Sequence, residues 1–145
     1  MNVENNDIND SNCLLCLHLR KKSLFEVKSF SDSILYLNED QFFKGYCILE
    51  YKRHVKELFD LTDEARDLYI KHLSLAAKAL QKTFNPDKIN YELLGNKVPH
   101  LHWHIIPRFK GDPAWSDPVW SKPHNPVNPP ADQMNQFVAE IQKHL

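Results

Sequence analysis

Short runs of apolar residues alternate with polar ones through the first third of the chain. Residues 24–30 (LFEVKSF) and 34–37 (ILYL) predict two strands on either side of a turn at residues 31–33. Residues 46–51 (YCILEY) form a more continuous apolar run, which predicts a strand buried on both faces. Two further strands are predicted at residues 88–94 (KINYELL) and 101–109 (LHWHIIPRF), separated by Gly95 and Pro99.

The spacing of apolar residues becomes helical from about Asp63 to Phe84. Thr62 is placed to cap this helix, and the acidic residues that follow it suit the positive first turn. Pro86 prevents the helix from continuing further. A shorter helix is predicted over residues 131–144. The apolar positions that carry the two patterns are Ala65, Leu68, Tyr69, Leu73, Ala76, Ala79, Leu80, Met134, Phe137, Val138 and Ile141.

The order of these elements predicts an α+β domain with a mainly antiparallel sheet of about five strands. Residues 1–11 are rich in Asn and Asp and are expected to form a flexible tail, which leaves residues 12–145 as a single domain. Seven of the nine prolines fall within residues 107–130, so this segment is expected to be extended or looped. Trp115 and Trp120 are expected to pin it to the domain rather than to cover a cleft.

Composition narrows the class of protein. The chain has 145 residues, 42% of them hydrophobic and 26% charged, as in an ordinary globular protein. Its net charge of −1 argues against a nucleic-acid partner, and no apolar run approaches the ~18 residues of a membrane span. The polar N-terminus does not resemble a secretory signal, and the three cysteines do not form a disulfide framework. We therefore expect a cytoplasmic protein with reduced thiols.

Three histidines alternate along the last predicted strand. His100, His102 and His104 are expected to project from one face, while Leu101, Trp103 and Ile105 point to the core. Such a row favours two kinds of chemistry. Imidazoles can share a metal ion, or a neutral imidazole can act as a nucleophile at physiological pH. The residues alone leave both alternatives open.

The segment from His100 to Ile106 resembles the signature of the histidine-triad (HIT) family, in which three histidines alternate with apolar residues. The similarity extends from about Cys13 to Arg108 and is nearest to the fragile-histidine-triad branch, which cleaves dinucleoside polyphosphates. The resemblance implies that His102 attacks the α-phosphorus of a nucleotide. It implies that His104 binds the phosphate oxygens and that His100 orients the nucleophile or binds a metal.

The same resemblance indicates residues that contact the nucleotide. Asn38 and Gly45 have the separation found in the fragile branch, where the Asn contacts the ribose. Asn90 belongs to the stretch that leads to the triad and is a further candidate. Where relatives carry Gln followed by Ser or Thr before the triad, this chain has Asn96 and Lys97. Lys97 replaces a hydroxyl by a cation, which suits an anionic polyphosphate leaving group or simply an exposed surface position.

A structural zinc site is expected near the N-terminus. Cys13 and Cys16 form a C-x-x-C pair, which on its own is weak evidence for a metal. Some HIT relatives complete four ligands with two histidines, and the matching residues here are His54 and His100. His18 competes for the fourth position because it follows Cys16 closely, whereas Cys47 belongs to an apolar strand and is expected to be core.

The resemblance therefore implies a homodimeric HIT hydrolase or transferase that acts on purine nucleotide conjugates. Diadenosine polyphosphates and adenosine phosphoramidates are the expected substrates, and no organic or redox cofactor is expected. Two alternatives belong to other classes. One is a metal-dependent enzyme in which all three histidines bind one ion, and the other is a nucleotide-binding regulator with incidental turnover.

Overall fold

A computed structural model describes residues 12–20 and 25–145. It contains five strands, β1 (Glu26–Ser29), β2 (Ser33–Leu37), β3 (Cys47–Tyr51), β4 (Lys88–Glu92) and β5 (His102–Arg108). It also contains three helices, α1 (Leu14–Arg20), α2 (Asp63–Phe84) and α3 (Ala131–Gln142), and short 3-10 turns at Leu58–Asp60 and Val119–Ser121. The expected N-terminal tail at residues 1–11 lies outside the described residues.

All neighbouring strands pair in antiparallel fashion, in the order β1-β2-β3-β5-β4. The predicted α+β class and five-strand sheet are therefore confirmed. Helix α2 begins and ends where the pattern predicted, with the Thr62 hydroxyl accepting a hydrogen bond from the Ala65 N–H. None of the helices in the described part of the chain has the length and apolar character that a membrane span requires.

Helix α2 covers one face of the sheet and forms the main core with it. Alanines at positions 76, 77 and 79 are buried, and their small side chains let the helix approach the strands closely. Strand β3 is buried on both faces as expected, and Cys47 is one of its core residues. The opposite face carries a smaller apolar cluster of Phe43, Tyr46, Ile106 and Val119. This second cluster lies beside the histidines.

Two elements differ from the expectation. Helix α1 was not predicted, and among its described side chains Leu14 and Leu17 are exposed rather than part of a buried apolar face. Its helical turn instead places Cys13 and Cys16, three residues apart, on the same buried side. Strand β5 starts at His102, so His100 lies before the strand and does not continue its row of side chains.

Arg108, at the end of β5, organises the segment that follows it. Its side chain is fully buried, and all three guanidinium nitrogens donate hydrogen bonds. Two go to the Asp112 carboxylate at 2.9 and 2.8 Å, one to Asn90 Oδ1, and others to the carbonyl oxygens of Ala114 and Asp117. A bidentate pair of this kind fixes the start of the proline-rich segment against the sheet.

We expect Arg108→Met to destabilise the protein by about 3–5 kcal/mol, because it leaves the Asp112 carboxylate poorly solvated and without its cation. Arg66→Met is the matched control, since Arg66 forms an Arg–Asp pair with Asp63 that is largely exposed. Its loss is expected to cost about 0.5 kcal/mol. Urea unfolding monitored by circular dichroism measures both values. Similar losses for the two variants would contradict the structural role assigned to Arg108.

Candidate active site and metal centre

His102 is held by its own backbone neighbourhood. The side chain is 8% exposed, and its Nδ1 lies 2.6 Å from the carbonyl oxygen of His100. A carbonyl oxygen only accepts hydrogen bonds, so Nδ1 carries the hydrogen. In the neutral imidazole, Nε2 then has no hydrogen and keeps its lone pair. This tautomer leaves the Nε2 lone pair of His102 available for nucleophilic attack.

His104 lies two residues further along β5 than His102. The centroids of the two imidazole rings are 4.8 Å apart. The Nδ1 of His104 is 2.5 Å from the hydroxyl of Tyr46, which directly precedes β3. The Trp120 ring meets it edge-to-face at 4.9 Å. The imidazole is thus fixed by three side chains from three separate parts of the sequence.

Burial controls the protonation of this pair. Desolvation, with a smaller contribution from the charge of His102, lowers the pKa of His104 to about 4. Desolvation, assisted by the negative charges of Glu92 and Asp40, raises the pKa of Tyr46 well above its ordinary value. At neutral pH, His104 is therefore an uncharged imidazole and Tyr46 an intact phenol.

A cavity of about 460 Å³ opens beside His104, a size that suits a nucleotide-like ligand. Its walls combine apolar and aromatic side chains with a few polar groups. The lining residues are Asn38, Asp40, Phe43, Tyr46, Ile48, His104, Val119, Trp120, Lys122, Pro123 and His124.

The proline-rich segment forms one wall of this cavity and is held there by Asp40. The carboxylate accepts hydrogen bonds from His124 Nε2 and from the N–H groups of Val127 and Phe42, each at 2.9 Å. The His124 ring also stacks on Phe42 at 4.0 Å. Although burial opposes it, these hydrogen bonds hold the pKa of Asp40 below its ordinary value. One carboxylate thereby holds this wall of the cavity in place.

The sequence-predicted nucleotide contacts are only partly brought together. Asn38 lines the cavity and donates a hydrogen bond to the Asp40 carbonyl oxygen. Asn90 instead accepts a hydrogen bond from Arg108 and lines a second cavity of about 380 Å³ with Trp115. Asn96 and Lys97 are exposed in the loop before the triad, and neither lines the cavity beside His104.

Several residues of the cavity were not indicated by the sequence. Trp120 was expected to pin the proline-rich segment, but it is 47% exposed and lines the cavity, while the neighbouring Val119 is the buried anchor. Tyr46 and Asp40 were not indicated, and His124 was expected to be a surface or packing residue. Their only sequence signal is polar or aromatic character within loops and strand ends.

Four potential metal ligands converge at the other end of the triad segment. The ligand atoms of Cys13, Cys16, His54 and His100 all lie within 4.8 Å of one another. His100 Nδ1 is 3.5 Å from Cys13 Sγ and 3.4 Å from Cys16 Sγ, and His54 Nδ1 is 3.3 Å from Cys16 Sγ. Tetrahedral Zn²⁺ with ordinary Zn–S and Zn–N bonds separates S and N by about 3.5 Å. The donor set and its spacing therefore suit zinc.

The outer hydrogen bond of His100 also suits a metal ligand. Its Nε2 donates to the Tyr51 carbonyl oxygen at 2.6 Å, which leaves the Nδ1 lone pair directed to the cysteines. Ligating histidines commonly make such a bond with the nitrogen that does not bind the metal. Burial lowers the pKa of His100, which favours the neutral form that binds metals. His18, the rival ligand, has no described side chain.

Comparison with known proteins then decides the family. The model of the HIT domain matches residues 22–111, well over half of the chain. The chain belongs to the HIT family. The protein named Protein hit from Bacillus subtilis strain 168 is 30% identical over 142 residues, covering 92% of this chain and 94% of its own length. HIT proteins are generally nucleotide hydrolases or transferases, so this chain belongs to a nucleotide-processing family.

More distant and structural relatives agree with the HIT assignment. Yeast bis(5'-adenosyl)-triphosphatase is 37% identical over 68 residues, which are 43% of this chain and 33% of that enzyme. A HIT protein from Sinorhizobium meliloti 1021 matches the fold with a TM-score of 0.78 and 31% identity, over 83% of this chain and 89% of that one. A zinc-bound HIT protein from Mycobacterium smegmatis shares the fold with a TM-score of 0.67 at 18% identity, over 91% and 94%.

Proposed function

We propose that this HIT protein cleaves purine nucleotide conjugates at the α-phosphate through a nucleotidyl intermediate on His102. The observation that carries the proposal is the hydrogen bond from His102 Nδ1 to the His100 carbonyl oxygen. This bond directs the Nε2 lone pair of the neutral His102 tautomer away from the backbone, and the uncharged imidazole of His104 lies beside it. Diadenosine polyphosphates and adenosine phosphoramidates are the proposed substrates.

The reaction has two displacement steps. His102 Nε2 attacks the α-phosphorus, the P–O or P–N bond to the leaving group breaks, and a nucleotidyl-histidine forms. Water then attacks the same phosphorus, the P–N bond to His102 breaks, and a nucleoside monophosphate is released. His104 stabilises the charge on the phosphate oxygens in both steps by hydrogen bonding. An acceptor other than water would give nucleotidyl transfer through the same intermediate.

The cavity beside His104 is the proposed nucleotide site. Asn38 at its rim is the proposed ribose ligand, and the rings of Phe43 and Trp120 offer apolar surface to a base. Asn96 and Lys97 precede the triad and are proposed to contact the leaving group from their exposed loop. Asn90 is engaged by Arg108, so its proposed contribution is to support this region.

The metal-dependent alternative is disfavoured by the hydrogen bonds of the three histidines. His100 Nδ1 faces the two cysteines, His102 Nδ1 faces a carbonyl oxygen, and His104 Nδ1 faces a tyrosine hydroxyl. Three rings with three different partners are not arranged around one ion. A nucleotide-binding regulator would need the same site geometry as an enzyme. The experiment below is therefore designed to separate regulation from catalysis.

Intact-protein mass spectrometry after brief mixing with diadenosine tetraphosphate, and separately with an adenosine phosphoramidate, tests the proposal. The wild type is expected to gain an adenylyl group and to release AMP. His102→Gly is expected to do neither, because it lacks the attacking nitrogen. His144→Gly removes an exposed histidine near the C-terminus and is expected to behave as the wild type.

Absence of both adduct and AMP from folded wild type would overturn the proposal for these substrates. Tight nucleotide binding without AMP release would then favour the regulatory alternative. Loss of activity on chelation, together with a metal content that follows His102, would favour the metal-dependent enzyme.

We also infer that a structural zinc occupies the site of Cys13, Cys16, His54 and His100. Four protein ligands fill a tetrahedral ion and leave no open position for substrate, so the ion would tie α1 to the start of the triad segment. The zinc-bound relative with the same fold supports this assignment. The expected homodimer is supported by the position of β4 at the edge of the sheet formed by the described residues, where Tyr91 is exposed.

Native mass spectrometry measures both properties in one spectrum. We expect a particle of two chains that carries two zinc ions. Cys16→Ala is expected to lose the zinc because only three ligands remain, whereas Cys47→Ala, in the core of β3, is expected to retain it. A metal-free wild type, or equal zinc content in the two variants, would contradict the zinc assignment. Single chains would contradict the dimer.

A further inference from the structure

Several contacts fix the backbone at Tyr46, the residue whose hydroxyl contacts His104. The Tyr46 N–H donates to the Phe43 carbonyl oxygen at 3.1 Å. Its own carbonyl oxygen accepts from the Asn38 N–H and from Gln41 Nε2, each at 3.0 Å. Gly45, just before it, has a φ of +86°, and a Cβ there would come within 2.7 Å of the Phe84 ring. These contacts fix the point of the backbone from which the Tyr46 side chain projects.

The hydroxyl of Tyr46 has one hydrogen-bond partner among the described residues, and it is His104 Nδ1 at 2.5 Å. The phenol keeps its proton because burial raises its pKa. A buried O–H group without an acceptor is costly, so the hydroxyl donates and Nδ1 accepts. A neutral imidazole carries a single hydrogen, which must then be on Nε2.

The position of this hydrogen matters for a phosphate ligand. Phosphate oxygens are acceptors, so a ring that presents Nε2–H to them binds, whereas a ring that presents the Nε2 lone pair repels them. The neighbouring His102 and Trp120 rings, at 4.8 and 4.9 Å, contact the imidazole through their ring faces and edges and not through a hydrogen bond. Glu92 is its cross-strand neighbour on β4. Among these contacts, the Tyr46 hydroxyl is the one that selects the tautomer.

We propose that Tyr46 is a positioning residue that holds His104 in its Nε2–H tautomer, so that the ring donates a hydrogen bond to the substrate phosphate. This inference rests on the proposed function for the identity of the ligand, an α-phosphate. The assignment of the tautomer does not depend on it. Tyr46 acts through His104 and makes no bond to the reacting atoms.

Tyr46→Phe is the direct variant, because it removes the hydroxyl and keeps the ring. We expect nucleotidyl-histidine to form about 10- to 100-fold more slowly, by analogy with the loss of a hydrogen-bond partner that orients a metal-ligating histidine. Nucleotide affinity is expected to change less than this rate. Tyr69→Phe is the matched control, since its buried hydroxyl donates to the Leu49 carbonyl oxygen at 2.7 Å in the main core. It is expected to keep the wild-type rate.

Long-range ¹H–¹⁵N NMR of the imidazoles in the free, full-length protein gives a readout that a purely structural role would not change. The His104 signals, assigned by their absence in His104→Asn, are expected to show a protonated Nε2 and an acceptor Nδ1. In Tyr46→Phe this pattern is expected to be lost, because His104 becomes a mixture of the two tautomers or carries its hydrogen on Nδ1. Tyr69→Phe is expected to retain it.

An Nδ1–H ring in the wild type would overturn the inference whatever the activity. An unchanged tautomer and rate in Tyr46→Phe would also overturn it. A wild type with the Nε2–H ring that forms no adduct with either substrate would overturn the proposed function while the tautomer assignment holds. The two failures are therefore distinguishable.

Discussion

The hydrogen bond between His102 Nδ1 and the carbonyl oxygen of His100, 2.6 Å long, connects the two halves of the site. The backbone of His100 orients the candidate nucleophile, while its ring faces Cys13 and Cys16. The same residue therefore links the four potential metal ligands to the candidate nucleophile. Any change that moves the backbone of His100 is expected to shift the position of His102 Nε2.

The antiparallel sheet makes this arrangement rigid. Pairing of β3 with β5 brings Ile48 opposite His104, so residues separated by more than fifty positions in the chain meet at one end of the cavity. The segment after β5 would otherwise be free to leave the sheet. Arg108 holds its beginning and Asp40 holds its far part, and together they keep Trp120 and His124 on the cavity wall. The buried ion pair thus supports the shape of the site from a distance.

Much of this could be predicted because the relevant signals are local. Hydrophobic spacing located helix α2 and all five strands, and the resemblance of the histidine row to the HIT signature implied nucleotide chemistry. Helix α1 was missed because the buried positions described at its start, Cys13 and Cys16, are cysteines rather than an apolar stripe. His100 lies outside β5, where its ring contacts the Tyr51 carbonyl oxygen and the cysteines. No local sequence pattern encodes these long-range contacts.

The cavity wall could not be predicted for a related reason. Tyr46 and His104 are 58 residues apart, and Asp40 and His124 are 84 residues apart, so each pair depends on tertiary packing. Aromatic and proline residues in a loop look alike whether they pin the loop or face a ligand. Trp120 is an example. It was expected to anchor the loop, but it is exposed, and the neighbouring Val119 is the buried residue that anchors the loop.

A crystal structure of the full chain with AMP bound tests the account most directly, because it locates the phosphate relative to the three histidines. The account predicts the ribose near Asn38 and the phosphorus about 3–3.5 Å from His102 Nε2, with a phosphate oxygen within hydrogen-bond distance of His104 Nε2. A nucleotide seated in the cavity beside Trp115, or a phosphate that contacts neither His102 nor His104, would contradict it.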